Sequence, residues 1–417
     1  MTPQRVELIN TGSELLLGNV RDAHLEWFGK ELIGIGLRIS RQTTVPDGSD
    51  ILSALREAFK RCDVILVTGG LGPTTDDITR ELASESLCLP LIKDQEVLRR
   101  IQDYCHVRGI SFQPRMERQA MVPSGARVLP NEFGTAPGLY VAPTVVTSLT
   151  IPHLFLLPGP PRELRPMATN YVIPILKGLA KSGAKDVCNI YRIVGMGESM
   201  LESKLGLELS KRTGLEVGYC ARPNEVDLRL IGTPSLLDEI KPIVLQAVGD
   251  NLLSDAGESM EEVVVRLLQK YGETIATAES CTGGHIADLM TNVPGASSVF
   301  REGFVTYSNA SKIRILEVPS AVITQHGAVS EEVVRAMAEG ACRLSGADYS
   351  IATSGIAGPY GGSDEKPVGT VWIALCSAEE RTETWKETFR GDRITFKQMV
   401  AQSALDRLRR LLIARPA

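Results

Sequence analysis

A chain of 417 residues that is 43% hydrophobic and 23% charged, with aromatics at 5% and 38 glycines, predicts two to four domains of soluble α/β type built around glycine-rich loops. A net charge of −5 argues against a nucleic-acid footprint and no apolar run approaches a bilayer span, so the expected partners are small molecules, with neither nucleic acid nor membrane. Eight scattered cysteines without a Cys-x-x-Cys pair indicate neither a zinc site nor a disulfide framework, and Met1 to Arg5 lead directly into strand-like sequence, which points to a cytoplasmic protein.

The first strand, Val6-Glu7-Leu8-Ile9, ends in Asn10-Thr11-Gly12-Ser13-Glu14-Leu15-Leu16, after which Leu25, Phe28, Leu32 and Ile35 mark one face of a helix. A second helical pattern at Ile51, Leu55 and Phe59 leads to Asp63-Val64-Ile65-Leu66-Val67, a continuous apolar run that fits a buried parallel strand. It ends in Thr68-Gly69-Gly70-Leu71-Gly72-Pro73-Thr74-Thr75-Asp76-Asp77. Two adjacent carboxylates beside a phosphate-sized nest of glycines suit a divalent cation shared between carboxylate and phosphate; the plain alternative is that they complement the dipole of the next helix. With five histidines and none paired at ligand spacing, any metal is expected to be a hard ion such as Mg²⁺. Further on, Asn131-Glu132-Phe133-Gly134-Thr135-Ala136-Pro137-Gly138 is rich in turn residues, and Leu154-Phe155-Leu156-Leu157 ends in Pro158-Gly159-Pro160-Pro161-Arg162-Glu163. Open α/β sheets bind ligands along the carboxyl edge of their strands, where these loops would bring Glu14, Asp76, Asp77 and Glu163 together.

Thr-Gly-Ser-Glu-Leu-Leu at 11–16, Gly-Gly-Leu-Gly-Pro-Thr-Thr-Asp-Asp at 69–77, Gly-Thr-Ala-Pro-Gly at 134–138 and Leu-Pro-Gly-Pro-Pro-Arg-Glu at 157–163 resemble the N-terminal domain of the CinA family, itself similar to molybdopterin-binding domains. The resemblance implies a molybdopterin-binding-like three-layer α/β/α domain over residues 1–175 and a metal-dependent ADP-ribose pyrophosphatase activity. Glu14, Thr68, Gly69, Gly70, Gly72 and Glu163 would face ADP-ribose, with Asp76 and Asp77 on the divalent metal. Two positions depart from the family pattern: its Asp-x-Asn is Asp22-Ala23-His24 here, and Thr75 stands where an acidic or charged residue is common.

Gly, Ser, Ala and Lys between Leu176 and Asp186 read as a linker. Residues 186–250 then hold Tyr191-Arg192-Ile193-Val194, Gly195-Met196-Gly197-Glu198-Ser199, a helix, and a hairpin-like pair around Leu215 to Cys220 and Val226 to Ile231. This resembles the family's small KH-like α+β middle domain. Its loop is Gly-x-Gly-Glu, not the Gly-x-x-Gly that clamps a nucleic-acid backbone, so a structural or dimerising spacer is expected. A second linker is expected from Gly249 to Met260.

The last region, 258–417, opens with an amphipathic helix at Val263, Leu267 and Leu268 and a short apolar strand that enters Ala278-Glu279-Ser280-Cys281-Thr282-Gly283-Gly284. A strand, a tight turn and a helix N-terminus aim unpaired N–H groups at anions and developing oxyanions. Ser280, Cys281 and Thr282 stand at that spot, where ordinary helix capping is the alternative use of such residues. Tyr307-Ser308-Asn309-Ala310-Ser311-Lys312 follows, then a helix from Ser330 with Val333, Val334, Met337 and Ala341 on one face. A strand ends in Thr353-Ser354-Gly355-Ile356-Ala357-Gly358-Pro359, and Arg390-Gly391-Asp392-Arg393 precedes a long terminal helix.

Glu-Ser-Cys-Thr-Gly-Gly at 279–284, Tyr-Ser-Asn-x-x-Lys at 307–312, Gly-Ile-Ala-Gly-Pro at 355–359 and Lys-Pro-Val-Gly-Thr-Val at 366–371 resemble the CinA C-terminal domain, the nicotinamide mononucleotide amidohydrolase family. An α/β CinA-type domain is implied, with Ser280 as nucleophile, Lys312 and Tyr307 as proton-transfer partners, and no cofactor. The same resemblance assigns nicotinamide mononucleotide binding to Thr282, Gly283, Gly284, Asn309, Ser354, Gly355 and Arg393, the last at the phosphate. Thr353-Ser354 replaces the family's more usual Val-Thr and keeps the hydroxyl. Deamidation needs a nucleophile, a base, an acid for departing ammonia and donors for the oxyanion, the last expected from backbone N–H groups near Thr282 and Gly283. A lysine acts as base only where desolvation or charge lowers its pKa. Cys281, four residues before His285, is a rival nucleophile if the two share a helix face. The combined expectation is a bifunctional, homodimeric enzyme of pyridine-nucleotide recycling. The alternatives are that one domain alone is active, or that the chain is a non-catalytic pterin- or nucleotide-binding scaffold linked to competence or DNA repair.

Overall fold

A computed structural model of the chain describes residues 5–145, 151–179, 186–378 and 381–415, and divides into two compact units that meet in sequence at Val187 and Cys188. The first unit is organised on a six-stranded sheet in the order Arg38–Val45, Arg5–Thr11, Val64–Thr68, His153–Leu157, Gly138–Val141, Arg127–Leu129. The first four strands are mutually parallel, Gly138–Val141 pairs antiparallel with the fourth, and Arg127–Leu129 pairs antiparallel with Gly138–Val141. Because strand side chains alternate between faces, the apolar runs divide into two cores. Ile9, Ile65, Val67, Leu154 and Leu156 pack against Ile51, Leu55, Leu87 and Val97. Val6, Leu8, Val64, Leu66, Phe155 and Leu157 pack on the other face against Phe28, Leu32, Leu164 and Leu176. Helices on both faces make the three-layer α/β/α arrangement anticipated for this half. A continuous apolar strand is what a sheet covered on both sides demands.

The second unit contains two sheets. Glu216–Arg222, Glu225–Gly232, Val187–Val194 and Leu252–Ser254 form a four-stranded sheet in that order, with helices Glu198–Ser210 and Pro234–Val248. Phe300–Val305, Ile275–Glu279, Tyr349–Gly355, Thr370–Ser377 and Thr382–Thr388 form a five-stranded sheet whose first three strands are mutually parallel, with Thr370–Ser377 antiparallel to both of its neighbours. Ala278, Ala352 and Ala374 face helix Glu331–Ser345 through Val333, Val334, Met337 and Ala341. Ile275, Ile351 and Ile373 face the opposite way, onto Val264 and Leu268 of helix Met260–Tyr271 and Phe396, Val400 and Leu405 of helix Arg393–Ile413.

Of the two expected linkers, the first falls largely outside the described residues and the second is structured. Helix Ile173–Leu179 runs past Leu176, and residues 180–185 lie outside the described residues. The segment from Gly249 to Met260 supplies an edge strand, Leu252–Ser254, paired antiparallel with Val187–Val194. Buried Leu253 joins the core of the last domain, and the buried Arg409 guanidinium donates to the Leu252 and Asp250 carbonyls at 3.0 and 2.9 Å. A three-residue strand is too short to show a period of two, so the glycines and aspartates on either side of it set the sequence impression. Among the described residues, no helix is long and apolar enough to cross a membrane.

Candidate functional site

Strand Ile275–Glu279 delivers Ser280 to the carboxyl edge of the five-stranded sheet, and the Ser280 N–H donates to the Thr353 carbonyl of the neighbouring strand at 3.0 Å. Helix Asn309–Leu316 delivers Lys312; its start is fixed by Ser308, whose hydroxyl accepts from the Ser311 N–H. The Lys312 side chain turns inward and is 1% exposed. Its Nζ donates to Ser280 Oγ at 3.0 Å, to the Thr306 carbonyl at 2.9 Å and to the Tyr307 carbonyl at 3.4 Å. Three acceptors match the three protons of an ammonium, yet burial holds the Lys312 pKa below the usual lysine range. Ser280 is 8% exposed, so the hydroxyl lies at the floor of the edge.

Glu279 was given no role by the sequence, although it immediately precedes the candidate nucleophile. Its carboxylate is fully buried and accepts from the N–H groups of Gly284, Ile286 and Ala287 at 2.9, 3.1 and 2.9 Å. The helix that starts at His285 is therefore satisfied from inside by its own chain. The N–H groups of Thr282 and Gly283 find no acceptor among the described residues and remain open for an oxyanion. The Thr282 side chain is locked by a 2.8 Å hydrogen bond with the Thr353 hydroxyl. Gly283 and Gly284 hold φ of 63° and 91°, which side-chain-bearing residues disfavour and which make the turn tight.

The other anticipated C-terminal residues fall into two groups. Tyr307 is largely exposed, and its hydroxyl accepts from Arg393 Nη2 at 2.8 Å, while Arg393 Nη1 donates to the Gly358 carbonyl at 3.0 Å. The phenol thus pairs with Arg393, and only the Tyr307 carbonyl meets Lys312. Asn309 is exposed at the start of the Lys312 helix. Gly355 ends its strand, where an added Cβ would come within 2.8 Å of the Thr370 carbonyl. Ser354 is buried and donates its hydroxyl to the Ala328 carbonyl at 2.7 Å, so that hydroxyl is committed within the fold.

The Cys281 and His285 pairing is not formed. The helix begins at His285, leaving Cys281 in the preceding turn, because the two positive-φ glycines interrupt any helix between them. Cys281 is buried, and desolvation pushes its thiol up to about 12, the reverse of what a thiolate nucleophile needs.

In the first unit the carboxyl-edge loops enclose a cavity of about 390 Å³ lined by Glu14, Gly69, Gly70, Gly72, Asp76, Asp77 and Glu163. Thr68 lines an adjoining cavity of about 280 Å³ that shares Glu14 and Gly159. Glycines let the carboxylates fold across the loops: a Cβ on Gly72 would strike the Asp77 carboxylate and one on Gly134 the Glu163 carboxylate. Asp77 accepts from the Thr74 N–H at 2.9 Å, and Glu163 accepts from Asn131 Nδ2 at 2.8 Å. A hydrogen bond from the Thr74 side chain holds the exposed Asp76 carboxyl below the usual range. Among the described residues, no three acidic, histidine or cysteine side chains form a group able to hold a metal by themselves. The oxygen donors present fit an ion such as Mg²⁺, which binds through one or two carboxylates and completes its shell with water and substrate phosphate.

The Asp22-Ala23-His24 departure has a structural role. Asp22 accepts from Asn10 Nδ2, Gln42 Nε2 and the His24 N–H. His24 Nε2 lies 2.8 Å from the Gly159 carbonyl, and burial lowers the pKa of the imidazole. With a carbonyl on one nitrogen, the neutral ring carries its proton at Nε2 and ties two carboxyl-edge loops together.

Residues 257–412 match the family model described as CinA C-terminal domain, and residues 7–178 match the one described as Probable molybdopterin binding domain. A CinA-like protein of Akkermansia muciniphila is 47% identical over 401 residues, covering 96% of this chain and 96% of that protein. A CinA-like protein of Parasynechococcus marenigrum is 40% identical over 426 residues, covering 99% of this chain and all of that protein. Among solved structures, a competence-damaged protein superfamily member from Klebsiella pneumoniae is 36% identical, covering 37% of this chain and 97% of its own, with a TM-score of 0.36.

Proposed function

The chain belongs to the CinA family, and from that premise we propose that its C-terminal domain hydrolyses the carboxamide of nicotinamide mononucleotide, releasing ammonia and nicotinate mononucleotide. The observation that carries this reading is the 3.0 Å contact between Lys312 Nζ and Ser280 Oγ, made by a lysine whose pKa burial has lowered. In the neutral form Lys312 takes the Ser280 proton as Oγ attacks the carboxamide carbon. The oxyanion is met by the Thr282 and Gly283 N–H groups. Collapse of the tetrahedral adduct breaks the C–N bond, and the Lys312 ammonium returns its proton to the departing nitrogen. Water deprotonated by Lys312 then cleaves the ester and restores Ser280. The Tyr307 hydroxyl accepts from Arg393 and takes no part in the exchange between Ser280 and Lys312.

For the N-terminal domain we propose metal-dependent cleavage of ADP-ribose to AMP and ribose 5-phosphate. A divalent cation held by Asp76 and Asp77 would supply charge neutralisation at the pyrophosphate. Glu14 and Glu163 line the same cavity and would contact the bound ADP-ribose. The protein would work in the cytoplasm, as a homodimer, on small nucleotides.

The test is product release by the purified full chain. Ammonia should appear from nicotinamide mononucleotide at an unchanged rate in chelator, whereas AMP should appear from ADP-ribose only with added Mg²⁺ or a similar ion and should be lost in Asp77→Asn. Cys281→Ala should leave ammonia release unchanged, since that thiol is buried and protonated. Absence of ammonia from the wild type overturns the C-terminal reading; AMP release that persists in chelator overturns the N-terminal one.

A further inference from the structure

The terminal helix Arg393–Ile413 begins at Asp392, whose carboxylate accepts from the Ile394 and Thr395 N–H groups at 2.8 and 2.9 Å. Residues four apart on a helix share a face, so Arg393 and Lys397 point the same way. Arg393 reaches Tyr307 and Gly358. Lys397 reaches the turn that carries Ser280: its Nζ lies 3.7 Å from where a Cβ on Gly283 would sit. The amine has no hydrogen-bonding or ion-pairing partner among the described residues and is half-buried against that turn. It is a cation held beside a backbone that carries unclaimed N–H groups.

Charge around the turn makes this placement informative. Glu279 has already consumed the donors at the start of the helix after Ser280, so the helix dipole there is offset by a buried carboxylate. Lys312 is caged by three acceptors. Binding of a dianionic phosphate group at this edge therefore depends on cations from elsewhere, and the terminal helix offers two, one turn apart.

We propose that Lys397 is a substrate-binding residue that, with Arg393, holds the phosphate monoester of the mononucleotide beside the first turns of the terminal helix, while the Thr282 and Gly283 N–H groups are left to the carboxamide. It thereby makes the site select phosphorylated nicotinamide ribosides over unphosphorylated ones. This rests on the amidohydrolase reading. A forked guanidinium and a mobile ammonium are complementary phosphate partners, one fixing direction and the other adding charge.

Lys397→Gln and Lys397→Arg would be assayed for ammonia release from nicotinamide mononucleotide and from nicotinamide riboside, and for ribose 5-phosphate binding by calorimetry at two salt concentrations. Lys397→Gln should raise KM for the mononucleotide by roughly tenfold or more with kcat nearly unchanged, as expected for loss of uniform binding. It should leave the riboside's kcat/KM unaltered and weaken ribose 5-phosphate binding by about the same factor, with a smaller salt dependence. Lys397→Arg should restore most of each. A fall in kcat at constant KM, or equal losses on both substrates, overturns the proposal. Binding needs no turnover: a protein that releases no ammonia yet loses ribose 5-phosphate affinity in Lys397→Gln keeps the phosphate role and loses the amidase reading. One that turns over normally in Lys397→Gln, with unchanged KM and binding, does the opposite.

Discussion

Ser280→Ala is expected to abolish ammonia release from nicotinamide mononucleotide, lowering kcat by on the order of 10⁴-fold or more, as removal of a nucleophile from a coupled dyad does elsewhere. The variant should still fold. It deletes one hydrogen bond, worth about 1 kcal/mol, and Lys312 Nζ keeps the Thr306 and Tyr307 carbonyls. Substrate affinity should survive, because the groups proposed to hold the mononucleotide belong to other residues: Arg393 and Lys397 on the terminal helix, and the N–H groups of Thr282 and Gly283. A dead enzyme with intact binding is therefore the signature, read by calorimetry on the variant beside turnover on the wild type. Brief reaction of wild-type protein followed by acid quench should show a nicotinoyl-nucleotide ester on the peptide carrying Ser280, absent in the variant. Retained turnover in Ser280→Ala would move the nucleophile elsewhere or make water attack directly.

What the sequence conveyed about this site depended on how local each feature is. The strand ends were legible because apolar runs such as Val64-Ile65-Leu66-Val67 stop abruptly at glycine-rich loops, and in a parallel sheet all such stops share one edge. The gathering of Glu14, Asp76, Asp77 and Glu163 around one cavity follows from that rule alone. The contact between Ser280 and Lys312 does not, since they stand 32 residues apart and Lys312 occupies a helix start that reads as a solvated position. Its burial comes from the packing of that helix against the strand edge, which no periodicity announces. Glu279 was missed because a carboxylate within an apolar strand contradicts the expected pattern. It is tolerated only because three backbone donors of the following helix surround it. The rival pairing of Cys281 and His285 depends on a shared helix face, and Gly283 and Gly284 adopt backbone angles that break any helix between them. Tyr307 shows a further limit: its sequence position beside Lys312 suggested a shared proton path, while its phenol points to Arg393.

Lys312 itself supplies the other large effect. Lys312→Arg is expected to be inactive across the whole pH range, since a guanidinium retains its proton under all such conditions and offers no lone pair to Ser280. Lys312→Met should lose roughly 10²- to 10⁴-fold in kcat through loss of the base. If, as proposed, the active form carries neutral Lys312, kcat/KM should climb with pH through an apparent pKa below the ordinary lysine value of about 10.4, in the direction that burial shifts the group. The same shift has a consequence for stability with a definite sign. A lysine whose folded pKa lies below its unfolded value binds fewer protons in the native state, so native stability rises as pH rises between the two values and is lost as pH falls through the folded one. Each unit of depression is worth about 1.4 kcal/mol. The melting temperature of the wild type should accordingly gain on that of Lys312→Met as pH is raised toward about 10. Parallel melting curves at every pH, together with a wild-type rate profile that is flat on its acid side, would show that Lys312 remains charged throughout. The base would then have to be sought outside the Ser280 and Lys312 pair.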